Sequence, residues 1–402
     1  MKKSILTACM IVTMFGFSHA ASAQVTDSEN NIVEVPIAPK KPLVQMAILL
    51  DTSGSMSGLI DQARIELWAI VNEFIFAKRN GIEPELQVAL YEYGKSSLVR
   101  EEGYIRQIVP FTTDLDKISE ELFALKTNGG DEYCGWVIKD ATENLHWSNS
   151  PDDLKVIFIA GNEPFTQGPV DYRDVCKGAI AKSIVVNTIH CGTEGDGLSG
   201  HWKDGAVLAD GRFLNIDHNR QIVHIEAPQD ERIAKLNIKL NDTYIALGSA
   251  GRMAKQRQSE QDNNAYVLSE EAAVQRAVAK SSFNYKNDSW DLVDALKNNK
   301  VKLEDVKEKD LPEEMQKMST KERKAYVQAK EKERTEIQQK IQELNKQRKK
   351  YVADEMKKRQ GKDDTLGSAI IKAVREQATN RHFKFESSKE ISKNIEDANS
   401  PK

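Results

Sequence analysis

Continuously apolar runs, separated by segments of helical period, organise the first two thirds of the chain. Met46-Ala47-Ile48-Leu49-Leu50 is apolar at every position, the pattern of a strand covered on both faces rather than of an alternating, half-exposed one. Residues 86–93, 104–111, 156–160 and 184–189 read as further strands. Between the first two, Ile60, Ala63, Leu67, Val71, Phe74 and Ile75 recur at helical spacing, so residues 57–79 are expected to be a helix ending in the basic, glycine-terminated run Lys78-Arg79-Asn80-Gly81. Shorter helices are expected over 114–125, from 134 to about 146, over 172–182 and over 230–240, with a last strand at 243–247. Alternation of this kind predicts an α/β domain over about 43–250: a doubly wound, mostly parallel sheet whose strand ends and following loops share one edge.

Two regions break the alternation. Residues 206–216 read as two strand-like stretches around Asp210-Gly211, a hairpin signal, and with 221–225 they suggest a β insertion over about 192–228 rising from the ligand-bearing edge. Residues 251–385 are helical in pattern. Ala272, Ala273, Val274, Ala277 and Val278 give a modest apolar face, and roughly half of 312–359 is charged around a sparse Ile337, Ile341, Leu344 and Tyr351. That seam fits either a solvated helical arm or a narrow coiled coil able to drive self-association. Residues 361–367 form a break, 368–377 a last short helix, and 386–402 a polar tail expected to be disordered.

Composition narrows the function classes. With 57 Lys and Arg against 61 Asp and Glu in 402 residues, the formal net charge is −4, and no basic excess points to nucleic acid. Beyond the N-terminus no apolar stretch approaches the roughly 20 residues of a transmembrane helix. The N-terminus itself combines Lys2-Lys3, an apolar run over 5–17 and Ala21-Ser22-Ala23, the layout of a signal peptide over 1–23 cleaved before Gln24. A proline-bearing linker over 24–42 follows. Export, to the periplasm or beyond a bacterial cell, is therefore expected. Leu6-Thr7-Ala8-Cys9 leaves too short an apolar core for a lipidation signal. The processed chain keeps Cys134, Cys176 and Cys191, an odd count that in an oxidising compartment suggests one disulfide and one thiol.

The candidate chemistry sits where the first strand ends. Asp51, Ser53 and Ser55 offer a carboxylate and two hydroxyls from one short loop, with Gly54 permitting the turn. Such hard oxygen donors suit Mg²⁺, Mn²⁺ or Ca²⁺; the plain alternative is a helix-capping turn. Asp51-Thr52-Ser53-Gly54-Ser55 resembles the D-x-S-x-S signature of von Willebrand factor type A (VWA) domains, the metal-ion-dependent adhesion site. The resemblance extends over about residues 44–248, and the run Gly161-Asn162-Glu163-Pro164-Phe165 with Asn187-Thr188-Ile189-His190-Cys191-Gly192 looks like a secreted bacterial branch of that family.

The resemblance implies a VWA/Rossmann-like fold, a divalent cation with Mg²⁺ foremost, and two further ligands: a threonine from a second loop and an aspartate after the fourth strand. The chain departs from both. The threonine position falls on Asp131, and the aspartate position on Gly161. One carboxylate is lost and another gained, so the expected ligand set is Asp51, Ser53, Ser55 and Asp131. Asn162 and Glu163 could join directly or through water, and Thr127 is the fallback if the second loop shifts register. The alternative is a degenerate site that holds no metal. In such a sheet the three cysteines belong to the same edge. Cys176 and Cys191 then form the expected disulfide, leaving Cys134 as a thiol at a helix N-terminus that lowers its pKa. A zinc site from Cys134, His190, Cys191 and His201 has no supporting spacing. His218 and His224 read as surface histidines, and Trp136 and Trp202 as packing or rim aromatics.

The resemblance implies an exported binding module, not an enzyme, in which the cation captures a carboxylate presented by a partner protein. The alternatives are an enzyme using a metal-activated water or the Cys134 thiol, and a structural protein assembled through its C-terminal helices.

Overall fold

The computed structural model describes residues 22–26, 32–36, 41–56, 60–74, 77–216, 225–358 and 366–385. Residues 1–41 form a unit of their own in which β1 (Ser22–Thr26) pairs antiparallel with β2 (Ile32–Pro36). Of the expected signal peptide over 1–23, residues 1–21 lie outside the described residues, as does the polar tail over 386–402. The second unit, from Pro42 onward, is built on a six-stranded sheet. Its strands are β3 (Leu43–Asp51), β5 (Glu85–Tyr93), β6 (Ile105–Thr112), β7 (Leu154–Gly161), β8 (Ile184–Cys191) and β9 (Phe213–Ile216). They lie in the order β6-β5-β3-β7-β8-β9, and only β6 runs antiparallel to its neighbour. The α/β class expected from the sequence is the one the chain adopts, with a mostly parallel sheet covered by helices on both faces.

Side chains alternate across a strand, and this sheet uses both faces. Val44, Met46, Ile48 and Leu50 of β3 join one core, while Ala47 and Leu49 join the other. The first core is closed by α1 (Ile60–Glu73), α2 (Leu115–Ala124), α7 (Asp230–Asn241) and α9 (Glu270–Lys280). The second is closed by α3 (Cys134–Asn144) and α4 (Tyr172–Ala181). Burial on two faces is why the strands read as unbroken apolar runs.

Several local expectations change. The helix expected to reach residue 79 ends at Glu73, and Ala77–Lys78 (β4) instead pairs antiparallel with Lys384–Phe385 (β10). The hairpin around Asp210-Gly211 does not form. Glu194–Ser199 (α5) and Trp202–Leu208 (α6) are helices, Asp210 takes a left-handed φ of 54° just after the second, and β9 pairs in parallel with β8 as a sheet edge. Asp210 does mark a turn, but one that ends a helix. Residues 217–224 lie outside the described residues, so the third strand proposed there and both His218 and His224 go with them. Residues 243–247 form no sheet strand either; Ala246 makes an isolated bridge to Asp291.

The charged C-terminal third folds back on the sheet. Ile337, Ile341 and Leu344 of α12 (Thr320–Lys358) are buried in the first core together with Ile370 and Val374 of α13 (Leu366–Asn380). The seam assigned to a solvated arm or a coiled coil thus faces this chain's own helices. Buried ions fasten it. Arg334 of α12 donates to Asp291 at 2.7 Å, to Asp294 at 2.6 Å and to the Thr243 carbonyl at 2.7 Å, and lies 4.1 Å over the Tyr244 ring. Arg348 pairs with Asp230 of α7 at 2.7 Å, and Arg375 of α13 pairs with Glu73 of α1.

A second buried network joins α2, α9 and α8 (Gly248–Leu268): Arg276 bonds Asp116 at 2.8 Å and Asp262 at 2.6 Å, and Lys280 bonds Asp262 at 2.6 Å. Burial opposes ionisation of Asp262, but the Lys280 and Arg276 charges outweigh it and hold the carboxyl well below the usual range. Asp262→Ala would leave two buried cations undercompensated, so a loss of about 3–5 kcal/mol in urea unfolding is expected. Wild-type stability would show that Asp262 does not hold these helices together.

Candidate functional site

The site forms where β3, β5 and β7 end together. Asp51 closes β3, Gly94 follows β5, and Gly161 closes β7. Asp51 is fully buried. Its Oδ1 accepts from the Ser53 amide at 2.7 Å, whereas its Oδ2 is buried with no hydrogen-bond partner among the described residues. The Ser53 and Ser55 hydroxyls are 2.9 Å apart, and Ser55 donates to Asn162 Oδ1 at 2.9 Å. Asp51, Ser53 and Ser55 therefore come together with Asn162, from a loop more than one hundred residues downstream. Thr52 points the other way, its hydroxyl donating to the Tyr93 carbonyl at 3.2 Å, and fixes the loop to β5.

The second loop is tied to the first through the Asn128 amide, which donates to the Thr52 carbonyl at 3.2 Å. Thr127 is half-buried one position earlier. Asp131 is exposed and accepts from the Tyr133 hydroxyl at 3.2 Å. The carboxylate buried against Asp51 is that of the next residue, Glu132, which is 5 % exposed. A β-carbon added at Gly94 would lie 2.7 Å from both Asp51 Oδ1 and Glu132 Cγ, and Gly94 holds a φ of 79°. The site thus needs glycine at 94, both for the backbone turn and to let two acids approach each other.

Gly161 shows why the acid of the third loop is missing. A β-carbon there would stand 2.5 Å from the Tyr93 hydroxyl, 3.1 Å from the Trp202 ring and 3.3 Å from Asp51 Cβ. Tyr93, bonded to the Ala160 carbonyl at 3.0 Å, and the buried Trp202 occupy the volume an aspartate would need. Glu163 is half-buried two residues on; its carbonyl accepts from Trp202 Nε1 at 2.9 Å and its carboxylate from Asn162 Nδ2 at 3.4 Å.

The electrostatics are those of crowded acids. Burial, reinforced by the Glu163 charge and opposed by the Ser53 hydrogen bonds, pushes Asp51 up to about 7. Burial, then the charges of Asp51 and Glu163, push Glu132 up to about 8. An unpartnered carboxylate oxygen, a pair of hydroxyls and mutually repelling acids are what a hard cation would satisfy. Among the described residues, however, no three His, Cys, Asp or Glu side chains group closely enough to hold a metal by themselves.

The expected disulfide is overturned, whereas Cys134 is a thiol as expected, though not one of lowered pKa. Cys134, Cys176 and Cys191 are all buried thiols, with no disulfide between Cys176 and Cys191. The sheet itself separates that pair: Cys191 shares a face with Val185 and Ile189 in the first core, while Cys176 of α4 lies in the second. Nor is Cys134 an activated nucleophile. It sits 3.6 Å from the Tyr93 hydroxyl, and burial raises its thiol far above the ordinary value despite its place at the start of α3. Burial likewise pushes Cys176 up to about 12. His190 is buried with Nδ1 3.0 Å from Asn215, and His201 is exposed, so the Cys134, His190, Cys191 and His201 set does not assemble.

No protein-family model matches the chain, and no curated protein matches it. Solved structures do. The SpRpn10 VWA domain is 18% identical and covers 45% of this chain and 91% of its own, with a TM-score of 0.35. The conserved hypothetical protein BatB from Bacteroides thetaiotaomicron is 18% identical over 43% of this chain and 90% of its own, with a TM-score of 0.32. Proximal thread matrix protein 1 from the mussel byssus, solved with a zinc-occupied MIDAS motif, is 12% identical over 44% of this chain and 42% of its own, with a TM-score of 0.34. This chain thus spans less than half the length of the mussel protein.

The raised acids give a signed prediction for the cation-free protein. Both groups bind protons more tightly folded than unfolded, so stability falls as pH rises from about 5 to about 8. Melting followed by circular dichroism in chelator is expected to show that decline, and Asp51→Asn to flatten it. An equal slope in the two proteins would remove Asp51 as the source.

Proposed function

We propose that this chain is an exported binding protein of VWA type, whose first-strand corner holds a divalent cation that captures a carboxylate from a partner protein. The observation that carries the reading is the buried, unpartnered Asp51 Oδ2 beside the Ser53 and Ser55 hydroxyls. Asp51, Ser53 and Ser55 would hold the cation. Glu132 takes the part that the sequence pattern gives to Asp131, because it is the loop's buried acid. Asn162 and Glu163 would stand directly behind, on the third loop. The cation supplies charge neutralisation and an open coordination position; the protein supplies orientation and a partly dry corner in which a charge-assisted bond is strong. Mg²⁺ is the leading ion by its preference for carboxylate, hydroxyl and water oxygens.

Export rests on the lysine-led, apolar, small-residue N-terminus. No helix among the described residues is long and apolar enough to cross a membrane. The burial of Cys134 leaves the thiol-enzyme alternative without an accessible nucleophile.

Cation binding to the folded form alone stabilises by mass action, ~2.7 kcal/mol at about 100 Kd. Millimolar Mg²⁺ or Mn²⁺ is therefore expected to raise the melting temperature, and Asp51→Ala to abolish the rise. Absence of any shift with Mg²⁺, Mn²⁺ or Ca²⁺ would defeat the cation reading.

A further inference from the structure

The buried network around Asp262 contains two groups able to react with each other. Lys280 of α9 is fully buried, and its Nζ donates to the side-chain oxygen of Asn241, the last residue of α7, at 2.5 Å. A C=O bond is about 1.2 Å long, so Asn241 Cγ stands within about 3.7 Å of that amine. Asp262 of α8 touches both partners: its Oδ2 accepts from Lys280 Nζ at 2.6 Å and from Asn241 Nδ2 at 2.7 Å. An amine, a carboxamide and a carboxylate, each from a different helix, meet at one point.

The fold holds this triad in place. Asn237, one turn before Asn241, donates to the same Asp262 oxygen at 3.0 Å, and Arg276, one turn before Lys280, grips Asp262 Oδ1 at 2.6 Å. Groups already in contact surrender little further freedom on reacting. Burial pushes Lys280 below the ordinary lysine value, against the pull of the Asp262 charge. Desolvation of this kind frees the lone pair that makes a lysine a nucleophile. Asp262, kept ionised by its cations, is in the state that accepts a proton. A salt bridge requires only the amine and the acid; the carboxamide placed across both is what adds chemistry.

We propose that Lys280 and Asn241 join through an isopeptide bond, with Asp262 moving the protons and ammonia leaving. Asp262 takes one proton from the Lys280 ammonium. The free amine attacks Asn241 Cγ, so the Nζ–Cγ bond forms and the Cγ–Nδ2 bond breaks. A second proton passes from Nζ through Asp262 to Nδ2, which departs as ammonia and carries off the first proton as ammonium. Nothing is oxidised or reduced, and Asp262 ends as it began. The product ties α7 to α9 covalently and closes the loop between residues 241 and 280. Like a disulfide, such a link restrains the unfolded chain, and it does so in a protein whose Cys134, Cys176 and Cys191 are thiols.

The test is a tryptic map of the full chain, purified, reduced and denatured. Residues 240–252 are expected to emerge bound to residues 277–286 as one branched peptide, because a modified Lys280 is no longer cut. Its mass should fall short of its two arms together by one ammonia, which distinguishes the link from ammonia lost elsewhere in the chain. Asn241→Ala should leave the two arms separate, and Asp262→Asn should do the same. Should Asp262→Asn fail to fold, Asp262→Glu, which keeps the charge but displaces the carboxylate, should lower the linked fraction. Recovery of separate 240–252 and 277–280 peptides from the wild-type chain would overturn the bond. A fully linked Asp262→Asn chain would overturn the part given to Asp262.

Discussion

A carboxylate shut away from water with one oxygen unpartnered is an unfavourable arrangement unless something else completes it. Asp51 is in that position, and much of the surrounding structure keeps it there. Thr52 ties its loop to β5, Gly94 clears the space beside it, and Tyr93 with Trp202 closes the side on which a further acid would otherwise stand. Glu132 and Glu163 then add charge of the same sign. Under the proposed reading, a bound cation would offset that crowding.

The parts of this design that were legible in the sequence are the local ones. Asp51, Ser53 and Ser55 stand within five residues, after an apolar strand and before a helical pattern, so their convergence follows from short-range geometry. The second loop was harder. Gly130 lets that loop run close against the turn after β5, where a β-carbon would stand 2.4 Å from the Gly94 carbonyl oxygen, and the buried acid is Glu132 rather than Asp131. Gly161 could be recognised as a departure from the family pattern. Its cause, the Tyr93 hydroxyl and the Trp202 ring, comes from residues far away in the chain and carries no sequence signal.

The misread elements share a physical origin. Asp210-Gly211 correctly marked a left-handed turn, but a short apolar run such as Ala206-Val207-Leu208 does not distinguish a helix end from a strand. The cysteine pairing failed because strand alternation puts Cys191 on the face opposite α4. The C-terminal helices looked solvated because charge was counted as exposure. Arg334 and Arg348 of α12 are in fact buried, held by Asp291 and Asp230. Their order of attachment shows what the long helix is for within this fold: it covers the first core and fastens the segment after α7, a task that apolar periodicity alone does not reveal.

The most direct measurement of the central claim is anomalous diffraction from crystals of the full chain grown in Mn²⁺. The account predicts a peak at the end of β3, within about 2 to 2.6 Å of Asp51 Oδ2 and of the Ser53 and Ser55 hydroxyls. An empty corner at saturating Mn²⁺, or an ion held elsewhere by other residues, would contradict it.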